Sequence, residues 1–219
     1  MSLKRTLEPE VMEGIDEAAT YDDMDHSTVN RQFVDDLLAF HEPTEEVFDI
    51  GTGTARIPIE LCRRREDLRV VAVDLSVEML DVARLNVEVA QLMDQIQLDR
   101  VDAKATDYEA ARFETVLSNS LLHHLPKPDV AVREAIRLTS ANGHLFFRDL
   151  MRPNSDRDVE RLVATYAKDE SDRAQQLFHD SLHAALTLDE MREIVCRHGF
   201  ADTTVQASSD RHWTWATMK

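Results

Sequence analysis

Residues 47–55 read Val-Phe-Asp-Ile-Gly-Thr-Gly-Thr-Ala, an apolar run that ends in two closely spaced glycines. A second apolar run, residues 70–74, ends in Asp74. Glycines give a turn left-handed backbone angles and let a ligand approach bare backbone closely. An acid at the tip of the next strand can accept hydrogen bonds from two ribose hydroxyls. The spacing predicts strand, glycine turn, helix and strand with a nucleoside-bearing cofactor; the alternative is a tight turn without a ligand.

The residues around the turn distinguish two classes of cofactor. Dinucleotide sites carry a third glycine and seat a pyrophosphate on the N-terminus of the helix. Here Arg56 stands at the position of that third glycine, and Asp49 precedes the first glycine. A carboxylate beside the turn repels a pyrophosphate but attracts an ammonium or sulfonium group. The pattern therefore favours S-adenosylmethionine over NAD.

Further short motifs follow the glycine turn in order along the chain. They are Asp74-Leu75, Asp102-Ala103, residues 115–119 (Thr-Val-Leu-Ser-Asn), residues 121–126 (Leu-Leu-His-His-Leu-Pro) and residues 143–150 (Gly-His-Leu-Phe-Phe-Arg-Asp-Leu). With these motifs the chain resembles the class I S-adenosylmethionine-dependent methyltransferases, in their small-molecule and quinone-type branch, over roughly residues 20 to 219. It departs from the family's first motif in having Ala55 where a third glycine is usual.

This resemblance implies the fold and the cofactor. The implied fold class is α/β, a Rossmann-like doubly wound sheet of seven strands with helices on both faces. The sheet is expected to be mostly parallel, with its last strand antiparallel. The implied cofactor is S-adenosyl-L-methionine.

The turn and the resemblance together assign the site residues. The expected cofactor-binding residues are Tyr21, Asp49, Gly51, Thr52, Gly53, Asp74, Leu75, Met79, Asp102, Ala103 and Asn119. His123 and His124 are the candidate catalytic bases, because imidazole titrates near neutral pH. Adjacent side chains on a strand or helix point in different directions, so only one of the pair is expected to face the pocket. Arg56 is expected to pair with Asp49, to reach the methionyl carboxylate or to stay in solvent.

The expected organisation is a single domain over residues 1–219 that begins with a polar, mobile segment. A helical cap at about residues 20–40 and a helical insertion at about residues 155–186 are expected to cover the active site. Ser76 is expected to cap one helix, and residues 187–190 (Thr-Leu-Asp-Glu) form a capping box for the last one. Because acceptor specificity belongs to such caps, the sequence does not identify the acceptor.

Composition and charge exclude several classes of partner. The chain has 219 residues, 43% of them hydrophobic, a formal net charge of −17 and an isoelectric point near 4.8. This charge repels nucleic acid and anionic membrane surfaces, and no apolar run approaches the ~20 residues that membrane insertion requires. Cys62 and Cys196 are isolated, which predicts no disulfide and a reducing cytoplasm. The excess of acids fits either adaptation to high salt or an acidic proteome encoded by a GC-rich genome.

The histidines do not have the spacing of a metal site, so no metal is expected. His179 and His183 lie four residues apart and are expected either to line the acceptor pocket or to cover it. The predicted function is methyl transfer to a small-molecule acceptor at O, N or C by in-line displacement, in a monomer or homodimer. The alternatives are a non-catalytic protein that binds S-adenosylmethionine or S-adenosylhomocysteine, and an NAD-binding oxidoreductase.

Overall fold

The computed structural model describes residues 3–8, 14, 18, 20–22 and 27–219. Seven strands form one sheet in the order β3-β2-β1-β4-β5-β7-β6. The strands are β1 (Val47–Ile50), β2 (Val70–Asp74), β3 (Ile96–Arg100), β4 (Phe113–Asn119), β5 (Thr139–Leu150), β6 (Val205–Ala207) and β7 (His212–Met218).

Helices alternate with the strands. They are α1 (Ser27–Phe40), α2 (Arg56–Arg64), α3 (Val77–Val89), α4 (Pro128–Leu138), α5 (Asp156–Tyr166), α6 (Asp172–Ala184) and α7 (Leu188–Arg197). Two short 3₁₀ helices, Leu122–His124 and Asp202–Thr204, follow β4 and precede β6.

The sheet is doubly wound about β1. Strand β1 pairs in parallel with β2 on one side and with β4 on the other, so the strand order reverses there. Strand β7 is antiparallel to both of its neighbours, β5 and β6. Crevices at such a reversal bind ligands beyond the carboxyl ends of the strands. The predicted fold class is confirmed, and the predicted site lies at this reversal.

Apolar side chains cover both faces of the sheet. On one face Phe48, Trp213 and Trp215 are fully buried beneath α4 and α7. On the other, Phe33 and Leu37 of α1 pack with residues of α2 and α3. Strands buried on both sides are typical of parallel sheets, which explains why β1 and β2 are almost continuously apolar.

The helix signals in the sequence mark real boundaries. The Ser76 hydroxyl accepts a hydrogen bond from Met79 N–H at 3.1 Å and caps α3. The capping box of α7 is formed in both directions, by Glu190 N–H to Thr187 at 3.2 Å and by Thr187 N–H to Glu190 at 2.9 Å. The predicted insertion consists of α5 and α6, which pack on the end of β5. The residue before α1 that would cap it lies outside the described residues.

The expectation of a mobile start is wrong for residues 3–8. Thr6 N–H donates to His183 O at 3.1 Å, and Leu3 packs against the cluster around Leu150 and Leu162. A polar sequence predicted mobility, but the tertiary contacts of this segment are with residues more than a hundred positions away, which no local pattern reveals.

Candidate functional site

A cavity of about 1100 Å³ opens at the carboxyl ends of the central strands. Every residue that the sequence assigned to the site lines it. These are Tyr21, Asp49, Gly51, Thr52, Gly53, Asp74, Leu75, Met79, Asp102, Ala103, Asn119, His123 and His124. Most of them lie at the ends of β1, β2, β3 and β4 or in the turns that follow, because parallel strands present their carboxyl ends at one edge of the sheet. Met79 lies on α3, and Tyr21 lies before α1.

The turn after β1 uses left-handed backbone at alternate positions. The φ angles are +73° at Gly51, +55° at Gly53 and +61° at Ala55. A Cβ on Gly51 would lie 2.8 Å from the Leu121 side chain, whereas a Cβ on Gly53 would meet nothing within 4 Å. Gly51 is therefore required by packing, and Gly53 leaves open space toward the cavity. Ala55 keeps the angle of the family's usual glycine at a cost of the order of 1 kcal/mol.

Asp74 fastens the glycine turn to β2. One carboxylate oxygen accepts Gly53 N–H at 2.9 Å and the other accepts Ser76 N–H at 2.9 Å. Burial raises the pKa of Asp74, and these backbone hydrogen bonds oppose the rise. Since each carboxylate oxygen has a second lone pair, the group retains the capacity to accept two hydroxyl donors from a ligand.

Asp49 is a buried carboxylate with an unused oxygen. The residue is 2% exposed, and its Oδ2 atom has no hydrogen-bond partner among the described residues. The N–H groups of Gly51 and Thr52 donate to Val73 O and not to this carboxylate. Burial raises the pKa of Asp49 to about 7; the Thr52 side chain opposes this rise and the nearby charge of Asp74 adds to it. A buried carboxylate of this kind favours a cationic ligand. Burial removes the solvation that stabilises its charged form, and a nearby positive charge replaces that stabilisation.

Arg56 does not pair with Asp49. Its guanidinium donates to both oxygens of Asp22, at 2.8 and 2.5 Å. Asn86 joins them, donating to Asp22 at 3.1 Å and to Thr54 O at 3.0 Å. The sequence missed Asp22, because nothing local links it to α2.

Tyr21 also lines this part of the cavity. Burial raises the pKa of its hydroxyl to about 12, and the charges of Asp74, Asp149 and Asp22 contribute to the rise. The phenol therefore stays protonated at neutral pH.

Residues that follow β2 and β3 line another part of the cavity. Leu75 and Met79 line the cavity here beside Ala103. Asp102 accepts Lys104 N–H at 2.9 Å and lies 3.1 Å from the Lys104 ammonium. This arrangement can place apolar side chains against the faces of a flat ring and a polar group at its edge.

His123 and His124 lie on the 3₁₀ helix Leu122–His124, with ring centroids 4.0 Å apart. Both residues line the cavity. The His123 side chain is 4% exposed and that of His124 is 19% exposed, so His124 is the better candidate base, and the expectation that at most one of the pair serves as a base stays a prediction.

Two carboxylates hold the imidazole pair. Nδ1 of His123 lies 2.5 Å from the buried Asp149, and Nδ1 of His124 lies 3.0 Å from Glu8. Glu8 is also 3.5 Å from Nε2 of His123. Burial lowers the pKa of His123, but Asp149 and Glu8 outweigh it and the net change is upward. Burial and the charge of His123 lower the pKa of His124. These contacts and burial therefore shift the two pKa values in opposite directions, so His123 holds a proton more readily than His124.

These contacts bear on the question of a metal. Single ligand atoms of Glu8, His123 and His124 lie within 4.8 Å of one another. Atoms of the same three side chains make imidazole–carboxylate contacts, and the absence of a metal stays a prediction. His179 and His183 face each other at 4.7 Å but are not among the residues that line the described cavity, so they cover it at most.

The remaining wall belongs to α5, α6 and the start of β7. Tyr166 and Phe178 contribute apolar surface, and Arg211 stacks on the Tyr166 ring at 3.4 Å from its centroid. Burial, Arg211 and Arg148 lower the pKa of His212 to about 4, so this ring is neutral. The sequence did not indicate that the start of β7 belongs to the site, because Arg211 and His212 match no motif.

Comparison with known proteins agrees with this geometry. A family model described as a methyltransferase domain matches residues 48–147. The ubiquinone biosynthesis O-methyltransferase of Pectobacterium atrosepticum is 30% identical over 109 residues, which are 49% of this chain and 44% of that enzyme. The chain thus spans less than half the length of such curated relatives.

Solved structures share the fold over nearly the whole chain. A putative S-adenosyl-L-methionine-dependent methyltransferase from Methanococcus maripaludis superposes with a TM-score of 0.72 at 16% identity, over 95% of each chain. The plantazolicin methyltransferase BpumL in complex with S-adenosylhomocysteine gives a TM-score of 0.70 at 14% identity, over 93% of this chain and 90% of that one.

Proposed function

Because this chain belongs to the class I S-adenosylmethionine-dependent methyltransferases, we propose that it transfers a methyl group from that cofactor to a small-molecule acceptor. The observation that carries the proposal is the cavity at the strand reversal, where the open Gly53 position adjoins two carboxylates, the buried Asp49 and the half-buried Asp74. Similarity to enzymes named as O-methyltransferases favours oxygen as the accepting atom over N or C.

The residues present fit this cofactor. The unpartnered Oδ2 of Asp49 suits the methionyl ammonium, and the free lone pairs of Asp74 suit the ribose hydroxyls. Leu75 and Met79 suit the faces of the adenine, with Asp102 and Ala103 at its edge. Gly51, Thr52 and Gly53 form the turn beneath the cofactor, and Tyr21 and Asn119 border its methionyl end. A pyrophosphate would lie near the carboxylates of Asp49 and Asp74, and the repulsion between like charges opposes NAD as the ligand.

When bound, S-adenosylmethionine supplies a methyl group already activated on a sulfonium. The chain's own contribution is to orient the acceptor in line and to exclude water, and orientation of this kind lowers a barrier by roughly 7–11 kcal/mol. If the acceptor atom carries a proton, neutral His124 is the group on the cavity wall that accepts it. His123, held by Asp149, keeps the pair in place.

The segments around the cavity are assigned as its cap. Residues 20–40 and 155–186 supply much of the wall beyond the cofactor region, and the size of the cavity suits a small acceptor rather than a polymer. The charge of −17 disfavours nucleic acid. The free cysteines Cys62 and Cys196 fit a reducing cytoplasm. The protein acts as a monomer or homodimer, within one domain.

As a separate finding, none of the helices in the described part of the chain has the length and apolar character needed to cross a bilayer.

Titration calorimetry with S-adenosylmethionine, S-adenosylhomocysteine and NAD tests the cofactor first. Binding of the two adenosyl compounds without NAD is expected, and preference for NAD would overturn the proposal. Transfer of a labelled methyl group to a panel of phenols, catechols, amines and carboxylic acids tests turnover. Tight S-adenosylhomocysteine binding with no transfer to any acceptor would favour a non-catalytic binding protein instead.

A further inference from the structure

Residues 3–8 run along the turn that carries the imidazole pair. The Arg5 guanidinium donates to Ala184 O at 2.6 Å and to the carbonyls of Leu122, His123 and Leu125 at 3.3, 3.0 and 3.1 Å. Carbonyls at the end of a short helix lack intrahelical donors, and buried carbonyls need them. One arginine thus satisfies the turn and fixes its position against α6.

Glu8 follows on the same segment and reaches the imidazoles from behind. Its side chain is 11% exposed and does not line the cavity, so it does not compete for a ligand. The carboxylate accepts the Ser181 hydroxyl at 3.3 Å and contacts His124 Nδ1 at 3.0 Å. Burial would raise the pKa of Glu8, but Ser181 and the two histidines hold it below its ordinary value.

The contact between Glu8 and His124 selects one tautomer. An ionised carboxylate only accepts hydrogen bonds, so the neutral ring must place its hydrogen on Nδ1 to bond it. Nε2 is then the basic nitrogen, and it has no hydrogen-bond partner among the described residues. A catalytic imidazole fixed by a carboxylate behind it works on the same principle in hydrolytic triads.

The geometry points to Glu8 as a positioning residue, which holds His124 with Nδ1 protonated and Nε2 free to take the acceptor's proton. The segment 3–8, anchored through Arg5, is then part of the active site. This inference rests on the proposed function only for the role of His124; the tautomer itself is a property of the protein without an acceptor.

The test reads the tautomer directly. Protein labelled with ¹⁵N-histidine and saturated with S-adenosylhomocysteine is examined by long-range ¹H–¹⁵N correlation at pH 7.5. The His124 ring is expected to be neutral with its hydrogen on Nδ1. A hydrogen on Nε2, or a charged ring, would overturn the inference without any variant.

Three variants separate positioning from a general structural role. Glu8→Ala is expected to lose the Nδ1–H tautomer and, with a working acceptor, to lower kcat at least tenfold without changing KM for the cofactor. Glu8→Gln keeps an amide oxygen at the same place and is expected to retain the tautomer and most of kcat. Asp180→Ala, which removes a comparable carboxylate 3.2 Å from His179 away from the cavity, is the control and is expected to behave as wild type.

Calorimetry with S-adenosylhomocysteine guards against misfolding, because the cofactor residues lie on other elements and affinity is expected to stay within about twofold. An unchanged tautomer in Glu8→Ala would contradict the inference. Failure of the protein to bind either adenosyl compound would instead contradict the proposed function, so the two outcomes are distinguishable.

Discussion

A buried carboxylate oxygen without a hydrogen-bond partner is costly, and Asp49 carries one at the wall of the cavity. The cost falls on the free protein and is relieved when a cation arrives. The same reasoning distinguishes Asp49 from Asp74, whose oxygens already accept two backbone N–H groups. The first acid is poised for charge neutralisation and the second for hydroxyl recognition.

Cofactor affinity should depend on pH through Asp49. Its pKa is about 7 in the free protein, and an ammonium group beside it stabilises the carboxylate and lowers that pKa. Binding should therefore release a proton below pH 7. Affinity for S-adenosylhomocysteine is expected to weaken by up to about tenfold per pH unit below 7 and to level off above it. Calorimetry in buffers of different ionisation enthalpy counts the protons.

Asp49→Asn is the control for that measurement. It should bind weakly at all pH values and release fewer protons; retention of the full pH dependence would exclude Asp49 as its source. A carboxyl whose pKa rises on folding stabilises the fold only at low pH and loses that contribution as pH passes 7. The free variant should consequently melt above wild type at pH 8, with the difference shrinking toward pH 4.

Asp74→Asn tests the ribose assignment at constant side-chain size. Replacement of a carboxylate by an amide removes charge-assisted acceptors, each of which contributes about 1.5–3 kcal/mol, so S-adenosylhomocysteine affinity should fall by tenfold or more. Asp99→Asn is the matched control. Asp99 lies on the neighbouring strand β3, accepts a hydrogen bond from the Tyr108 hydroxyl at 2.5 Å and does not line the cavity. Equal affinities for Asp74→Asn and wild type would refute the assignment.

At the scale of elements, the turn between β1 and α2 combines two separate demands for glycine. The Leu121 side chain, in the turn after β4, leaves no room for a Cβ at position 51. Gly53 is limited only by its φ of +55° and by whatever occupies the cavity. The packing of one turn against another thus sets the first position, and a ligand sets the second.

Gly53→Ala and Gly199→Ala form a matched pair that separates the two demands. Both glycines have positive φ, +55° and +88°, and a Cβ on either would meet nothing within 4 Å. Each substitution should cost about 1–2 kcal/mol of unfolding free energy from the left-handed backbone. Only Gly53→Ala should weaken S-adenosylhomocysteine binding, as measured by calorimetry. Equal binding by both variants would place the cofactor away from this turn.

At the scale of the whole molecule, net charge opposes folding. The chain carries 42 acidic and 25 basic residues, and ion pairs such as Arg64 with Glu60 and Asp35 offset only part of this repulsion. At 0.1 M ionic strength charges interact over about 10 Å, so added salt screens neighbouring surface carboxylates.

Thermal stability should therefore rise with salt. A gain of about 1 kcal/mol between low and molar sodium chloride would raise Tm by about 2–4 °C for a chain of this size. Potassium chloride is the control, because screening depends on ionic strength rather than on the cation. A flat or falling Tm would remove the idea of adaptation to high salt and leave an acidic proteome as the explanation.

Patterns within the sequence, together with the family resemblance, predicted the sheet, the glycine turn, the caps at Ser76 and Thr187 and the assigned site residues, which line the cavity. These features are local. Apolar runs, turn residues and acids at strand ends reflect backbone conformations that depend on only a few neighbouring residues. Parallel strands bring their carboxyl ends to one edge of the sheet, and the crevice lies where the strand order reverses. The position of the cavity could therefore be predicted from the sequence.

Only the tertiary structure decided how the site is completed. Glu8 and Arg5 contact the imidazole turn from more than a hundred residues away in the sequence, and Arg56 binds Asp22 rather than Asp49. Such contacts depend on where distant segments dock, which long-range packing sets and no local spacing encodes. The directions in which the pKa values of Asp49, His123 and His124 shift depend on burial and on charges that folding brings close, so they too are properties of the folded chain.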